Sequence, residues 1–259
     1  MQPIVDTFIA PPCHEQIVII ADNEHFLLIN KPSGLLSLSG KHPANLDSVH
    51  HRLVKQYPEC TLVHRLDLGT SGIMVVAKNK TINALLCKQF SERKVLKRYT
   101  ALLAGDVLKE SGEIVLPIAK DKPNFPLMKI CQQEGKPAHS IYQVLSREHY
   151  SNTLEQDAVK YSTESSNLQH DCNRSTMAQI GSPAVSSQVT RVELTPKTGR
   201  THQLRIHCQQ IGHPIIGCDL YGTEFSHQLA PRLMLHATRL EFDHPITGER
   251  VLGFSACPF

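Results

Sequence analysis

Short apolar runs rich in β-branched residues, each closed by turn-forming residues, set the first limit on how this chain can fold. Ile17 to Lys31 holds two of them, IVIIA and FLLINK, separated by Asp22-Asn23-Glu24-His25 and stopped by Pro32, a pattern that predicts a β-hairpin. Gly72 to Ala77 (GIMVVA), Tyr99 to Ala104, Ser140 to Leu145, Val189 to Leu194 and Leu233 to Phe242 read as further strands. Helical spacing is confined to three stretches. Leu46, Val49, Leu53, Val54 and Tyr57 predict an amphipathic helix over Asn45 to Tyr57, closed by Pro58. Ile82, Leu85, Leu86 and Phe90 share one face of a helix over Thr81 to Arg93, and His202 to Ile211 reads as a helix that Gly212 ends. Strands outnumber helices and do not alternate with them, so the predicted class is α+β, not a doubly wound sheet.

With 259 residues, 41% of them hydrophobic, the chain can bury a substantial core. The reading is one domain over residues 17–259, preceded by an extension over residues 1–16. From about His149 to Ser187 the sequence is rich in Ser, Thr, Asn and Gln and lacks any apolar period, which predicts a mobile surface insertion unable to offset its ordering entropy. Between Glu148 and Gln188 five acidic side chains face two basic ones, a local −3 that leaves +6 on the rest of a chain whose net charge is +3. A basic body is compatible with a polyanionic partner. No apolar run reaches the ~18 residues of a membrane span, and Met1 to Pro12 carries Asp6 and no basic cluster, so a soluble, unexported, cytoplasmic protein is expected, with no membrane partner. Eight cysteines are scattered without a CxxC pair and read as reduced thiols; fifteen histidines include His50-His51 and His202 with His207 but no spaced third and fourth ligand, so no metal site is expected.

The chemistry concentrates in His64-Arg65-Leu66-Asp67-Leu68-Gly69-Thr70-Ser71-Gly72, which sets a carboxylate in a loop emptying into the apolar strand GIMVVA. Two glycines let the backbone turn and a planar partner approach, and Thr70 and Ser71 offer hydroxyls. Taken alone, an Asp beside Gly-Thr-Ser reads as a turn cap. The longer run HRLDLGTSGIMVVAKN, however, resembles the catalytic motif of the RluA family of RNA pseudouridine synthases. Four further stretches match that family in the same order: NKPSGLLS (Asn30 to Ser37), KRYTALLAG (Lys97 to Gly105), GRTHQLRIHCQQIGHPIIGCDLYG (Gly199 to Gly222) and RLMLHATRLEFDHP (Arg232 to Pro245). DKPNFPLMKICQQEGKPAHSIYQV, from Asp121 to Val144, resembles the short branch, without an S4 domain, that modifies both ribosomal and transfer RNA. Gly69 and the polar insertion depart from the compact family pattern, and the insertion bears on which RNA is chosen.

The resemblance implies a mixed, mainly antiparallel sheet flanked by helices, with a catalytic cleft across it, and an isomerase that needs no cofactor. Its substrate would be large-subunit ribosomal RNA, with transfer RNA as a second target, and the enzyme a monomer. By the same resemblance Asp67 is the nucleophile, attacking either C1′ of the ribose or C6 of the base. Arg205 is its salt-bridge partner, keeping the carboxylate charged in a partly dry pocket. Tyr99 stacks on the uracil with its hydroxyl near the proton leaving C5. The target must be flipped out of its stack. Arg65 is positioned to fill the vacated space or hold phosphate, Lys31, Arg200 and His202 are candidate RNA contacts, and Lys88, Arg93, Lys94, Lys97 and Arg98 form a phosphate track. Two other readings stay open: a noncatalytic RNA-binding module, and a synthase acting on transfer RNA alone. A glycosidase would need two facing carboxylates, and no second acid stands near Asp67 in the matched stretches.

Overall fold

The computed structural model describes residues 8–151 and 186–259. In chain order these form strands β1 (Val18–Asp22) and β2 (Phe26–Lys31), helix α1 (Val49–Leu53), strands β3 (Thr61–Leu62) and β4 (Ser71–Ala77), and helix α2 (Lys80–Ser91). Strands β5 (Leu96–Ala104), β6 (Ser111–Val115), β7 (Ile118–Lys120), β8 (Met128–Ile130), β9 (His139–Ser151) and β10 (Ser186–Pro196) follow. Helices α3 (Gln203–Gln210) and α4 (Glu224–Gln228) and strands β11 (Leu235–Asp243) and β12 (Arg250–Phe254) complete the order. One mixed sheet runs β1-β2-β4-β11-β5-β10-β9-β6, with β12 added to β11 and β3 to β4, while β7 and β8 form a separate hairpin. Within the main sheet β4 and β11 run parallel, through Ser71↔His236 and Gly72↔Ala237, and the other pairings are antiparallel. The class is α+β, as the run pattern predicts.

Local chemistry explains the elements. The β1–β2 hairpin closes on Asn23, whose Oδ1 accepts from the amides of His25 and Phe26 at 2.9 Å. β4 is buried along its whole length, as a continuous β-branched run requires. Asn79 caps α2 by accepting from the Ile82 amide at 2.9 Å, and Ile82 and Leu86 bury against the β4 side of the sheet, though Leu85 stays exposed. The buried side chains fall into two groups. One gathers around β2, β4, α1 and α2 (Leu27, Ile29, Val75, Leu86), the other around β5, β9, β10 and α3 (Leu102, Leu103, Val192, Ile206). Tyr99 of β5 packs against both, so it stands at their seam.

Three expectations change. The helix expected over Asn45 to Tyr57 is only Val49–Leu53: a 3-10 turn at Pro43–Asn45 precedes it, Ser48 caps it by accepting from the His51 amide, and Leu46 is exposed. Residues 8–16 of the expected extension are tied to the domain, the carbonyl of Glu15 accepting from Arg52 at 2.6 Å and that of Phe8 from Asn45 at 2.7 Å. The polar insertion expected over about 149–187 lies mostly outside the described residues, but its two ends lie in strands, with Ser187 opposite Tyr150 and Ser186 opposite Ser151. Main-chain ladders do not require apolar side chains, so composition marks such ends too early. Strands β6, β7, β8 and β12 and helix α4 are too short and too exposed to announce themselves by periodicity.

Gly72 is the tightest point of the parallel junction. Its φ is +117°, and a Cβ there would lie 2.3 Å from the carbonyl oxygen of Ala237 and 2.4 Å from its nitrogen. Gly72→Ala is therefore expected to destabilise the protein by about 3 kcal/mol or more, through strain and overlap with backbone that cannot yield. Urea unfolding checks this, and a loss below about 1 kcal/mol would show that the junction can open.

Candidate active site

The loop between β3 and β4 is held by its main chain and left free at one side chain. The carbonyls of four successive residues are each taken: Leu66 by Ser37 Oγ (2.7 Å), Asp67 by the Thr70 amide (3.1 Å), Leu68 by the Gly34 amide (2.9 Å) and Lys31 Nζ (3.1 Å), and Gly69 by Ser33 Oγ (2.8 Å). The Leu66 amide donates back to Ser37 Oγ at 3.1 Å. Lys31 also donates to the carbonyls of Pro32 (2.9 Å) and Leu35 (2.7 Å) and is fully buried; burial pulls its ammonium down to about 7. Before the loop, His64 stacks on Phe90 with ring centroids 4.8 Å apart and accepts from the Val75 amide at 3.2 Å. Beyond it, Ser71 Oγ bonds His236 Nδ1 at 2.8 Å and accepts from Arg232 at 2.5 Å, while His236 Nε2 bonds Ser255 Oγ at 3.1 Å.

The Asp67 carboxylate faces a cavity of about 660 Å³, within the range of small-ligand sites. Among the described residues it is the one carboxylate in the lining, where Arg65, Lys97, Arg200 and Arg205 supply four cations. Tyr99 and His202 line it too, so the structure brings together six of the seven residues singled out from sequence. Lys31 is the exception: it does not line the cavity, because its ammonium is spent on three carbonyls beneath the loop.

Arg205 also departs from expectation. It lines the cavity from α3, but its ion-pair partner is Asp219 and not Asp67, and its Nε and Nη2 donate to Cys218 Sγ at 3.3 and 3.4 Å. Its Cζ lies 5.4 Å from the centroid of the Tyr221 ring. Burial opposes its charge, and Cys218, Asp219 and Asp67 together hold the guanidinium protonated. Burial and then the field of Asp67 raise Tyr99, keeping its phenol protonated at neutral pH. His202 adopts a left-handed φ of 54° at the start of α3, a strained conformation for a residue with a Cβ, and its Nδ1 bonds Tyr221 Oη at 2.8 Å.

Several site residues were not singled out from sequence. Gln203 fixes the turn that presents Arg200 and His202: its Oε1 accepts from Thr198 Oγ1 (2.7 Å) and the Arg200 amide (3.0 Å), and its Nε2 donates to His139 O and Ser140 Oγ at 2.9 Å. Of its basic cluster Lys97 is the member that lines the cavity. Lys88 and Lys94 pair with Glu92, and Arg98 with Glu193, whereas Lys97 makes no ion pair among the described residues and faces the cavity two positions from Tyr99 on β5. Ser33, Ser37 and Gln203 lie within stretches that carry the family resemblance, which is the only signal the sequence offers for them, whereas Lys97 is already visible as part of the basic cluster.

A model of the family described as RNA pseudouridylate synthase matches residues 25–210, well over half of the chain. The chain belongs to that family. It is 41% identical over 235 residues to the dual-specificity RNA pseudouridine synthase RluA of Vibrio parahaemolyticus, covering 91% of this chain and 81% of that one. To the protein of the same name from Pasteurella multocida it is 40% identical over 248 residues, covering 96% of both. The solved human RNA pseudouridylate synthase domain containing 1 superposes with a TM-score of 0.70 at 28% identity, over 96% of this chain and 86% of the other. Among the described residues no helix is long and apolar enough to cross a membrane.

Burial lowers His64 to about 3 and His236 to about 4, so the fold holds both imidazoles neutral at either end of the loop. The unfolded chain takes up these protons near 6.5. Their contribution to stability is therefore complete above pH 6.5 and is lost as pH falls toward 4. Imidazole NMR signals of both residues are expected to stay fixed from pH 8 to 5.5, while urea unfolding gives a lower stability at pH 4.5 than at pH 7. Movement of the His236 signals above pH 6 would contradict the buried neutral assignment.

Proposed function

We propose that this protein isomerises specific uridines to pseudouridine in large-subunit ribosomal RNA and in transfer RNA, as a cytoplasmic monomer, with Asp67 as the nucleophile. The observation that carries this reading is one carboxylate, unpaired at its side chain among the described residues, on a loop that has four successive carbonyls engaged, among four cations. The family and its dual-specificity relatives supply the reaction class.

The reaction breaks the C1′–N1 bond, turns the uracil and joins C5 to C1′, with the C5 proton released and N1 taking one up; atoms and electrons balance without a redox partner. A carboxylate can serve as nucleophile only if it stays ionised and does not wander. The loop clamp supplies the second condition, and the surrounding cations set a positive field around the carboxylate. Tyr99, protonated and at the seam of the two cores, offers its ring as a stacking surface and its hydroxyl as a donor; it acts as a base toward C5 only after ceding its own proton. The uridine enters by flipping out of its stack, and exposed Arg65, beside Asp67, can occupy the vacated position. Arg200, His202 and Lys97 are assigned to phosphate or base contacts at the rim and wall of the cavity.

Asp67→Ala is expected to lower turnover by about 10⁴-fold or more while leaving RNA affinity nearly unchanged, since phosphate contacts dominate binding. Carbodiimide labelling of transcribed ribosomal and transfer RNA measures the product, and filter binding the affinity. Ordinary turnover in the variant would defeat the nucleophile assignment; binding without product in the unaltered protein would favour a noncatalytic RNA-binding module. Lys97→Gln is expected to raise KM about tenfold, the effect of one charge-assisted hydrogen bond to phosphate, with a smaller change in kcat. An unaltered KM would remove Lys97 from the binding set.

A further inference from the structure

The β7–β8 hairpin lies outside the cavity yet is built into its wall. The Met128 amide donates to Tyr221 Oη at 2.8 Å, and Tyr221 Oη bonds His202 Nδ1 at 2.8 Å, so the hairpin stands two hydrogen bonds from a lining residue. Helix α3 packs against β8, and Arg200, also in the lining, donates to the carbonyl of Pro137 at 3.1 Å. The tip is a closed turn. Asp121 N donates to Leu127 O (3.0 Å), Leu127 N to Asn124 O (2.8 Å), Asn124 N to Asp121 O (3.1 Å) and Asn124 Nδ2 to Asp121 Oδ2 (2.9 Å).

This turn holds Phe125 at 67% exposure, where its ring gains little from packing on the fold. Lys120, Lys122 and Lys129 are exposed around it in sequence, against the single acid Asp121. None of the three lysines is in an ion pair among the described residues. Phe125 is three residues from Met128, hence within about 10 Å of the point where the hairpin joins the cavity wall. An exposed aromatic ring on a rigid basic turn suits an unpaired base and its phosphates better than it suits a protein surface, which would bury the ring in an apolar patch.

We propose that the β7–β8 hairpin is a second RNA-binding element, in which Phe125 stacks on an unpaired base near the target uridine and Lys120, Lys122 and Lys129 hold phosphates of the same strand. The inference rests on the RNA reading given above and extends it to a surface outside the catalytic cavity.

The chain has no tryptophan, so Phe125→Trp introduces a single tryptophan at the tip, excited selectively over the tyrosines. Titration with a transcribed stem-loop that the unaltered protein modifies is expected to quench its fluorescence, saturating where catalysis saturates; turnover by this variant confirms that it is folded. Phe125→Ala is expected to raise KM about tenfold with kcat unchanged. The triple variant Lys120→Gln, Lys122→Gln, Lys129→Gln is expected to flatten the slope of log affinity against log salt by about 2, at roughly 0.7 for each single-strand phosphate contact. Pseudouridine formed by the Trp variant without any quench, together with an unaltered KM in Phe125→Ala and an unaltered salt slope, would overturn the hairpin's role while leaving the enzymatic reading intact. Quenching together with a failure of the unaltered protein to form pseudouridine in any transcribed ribosomal or transfer RNA would instead sink the enzymatic reading and support the hairpin as an RNA contact.

Discussion

A buried ammonium beneath the β3–β4 loop is the constraint on which the rest of the site depends. Lys31 reaches the carbonyl of Leu68 from the end of β2, and Ser33, Gly34 and Ser37 take the neighbouring carbonyls from the segment that follows. Burying an amine this deeply is costly, and its depressed pKa records the cost. The compensation is geometric: an ammonium has three protons and meets three carbonyls, so removing it would leave acceptors unpaired at about 1–3 kcal/mol each. What this arrangement secures is the backbone of Asp67. A side chain with one carbon between backbone and carboxyl has little freedom once its main chain is fixed, so the loop sets the position of the carboxylate at the cavity.

The parallel step between β4 and β11 has the same logic on a larger scale. It is the single parallel pairing within an otherwise antiparallel main sheet among the described residues, and it comes directly after the loop. Ser71 and His236, opposite each other in register, are joined by a hydrogen bond and locked to Arg232 and Ser255, and Gly72 allows the two backbones to approach. β11 continues on its other edge into β5, which carries Lys97 and Tyr99. Three segments distant in sequence are thereby set around one opening, with Tyr99 at the seam between the two cores.

How much of this is legible in the sequence depends on whether a residue acts through its pattern or through its partner. β2, β4 and β5 are visible as apolar, strand-like runs, α2 by the helical spacing of its buried Ile82 and Leu86, and α3 by the glycine that ends it. Asp67 and the residues around the opening are visible because their stretches match a family. Lys31 looks like an RNA contact from sequence, since a lysine at the end of a strand-like run, just before the proline of NKPSG, carries no sign that its head turns inward. The partner of Arg205 is equally hidden: Asp219 is fourteen residues away, and only the fold decides whether the guanidinium meets that carboxylate or Asp67. Strands such as β7 and β8, three residues long and partly exposed, leave no periodic trace at all.

The pairing of Arg205 with Asp219 changes how the field at Asp67 is composed. No single guanidinium fork pairs with Asp67 among the described residues; the positive charge around it is spread over Arg65, Lys97, Arg200 and an arginine already shared with a second acid. With Asp219 counted beside Asp67, the four cations exceed the two carboxylates by two charges, and His64 and His202 are pushed toward neutrality by burial. A nucleotide drawn out of an RNA strand brings one phosphate on each side. The surplus of two matches that demand, so substrate entry can approach local electroneutrality as water leaves the cavity, the condition under which buried charges are tolerated. The same surplus attracts the strand before contact and falls with salt. A cation such as Lys97, without an ion-pair partner among the described residues, thus adds to the positive field of the opening.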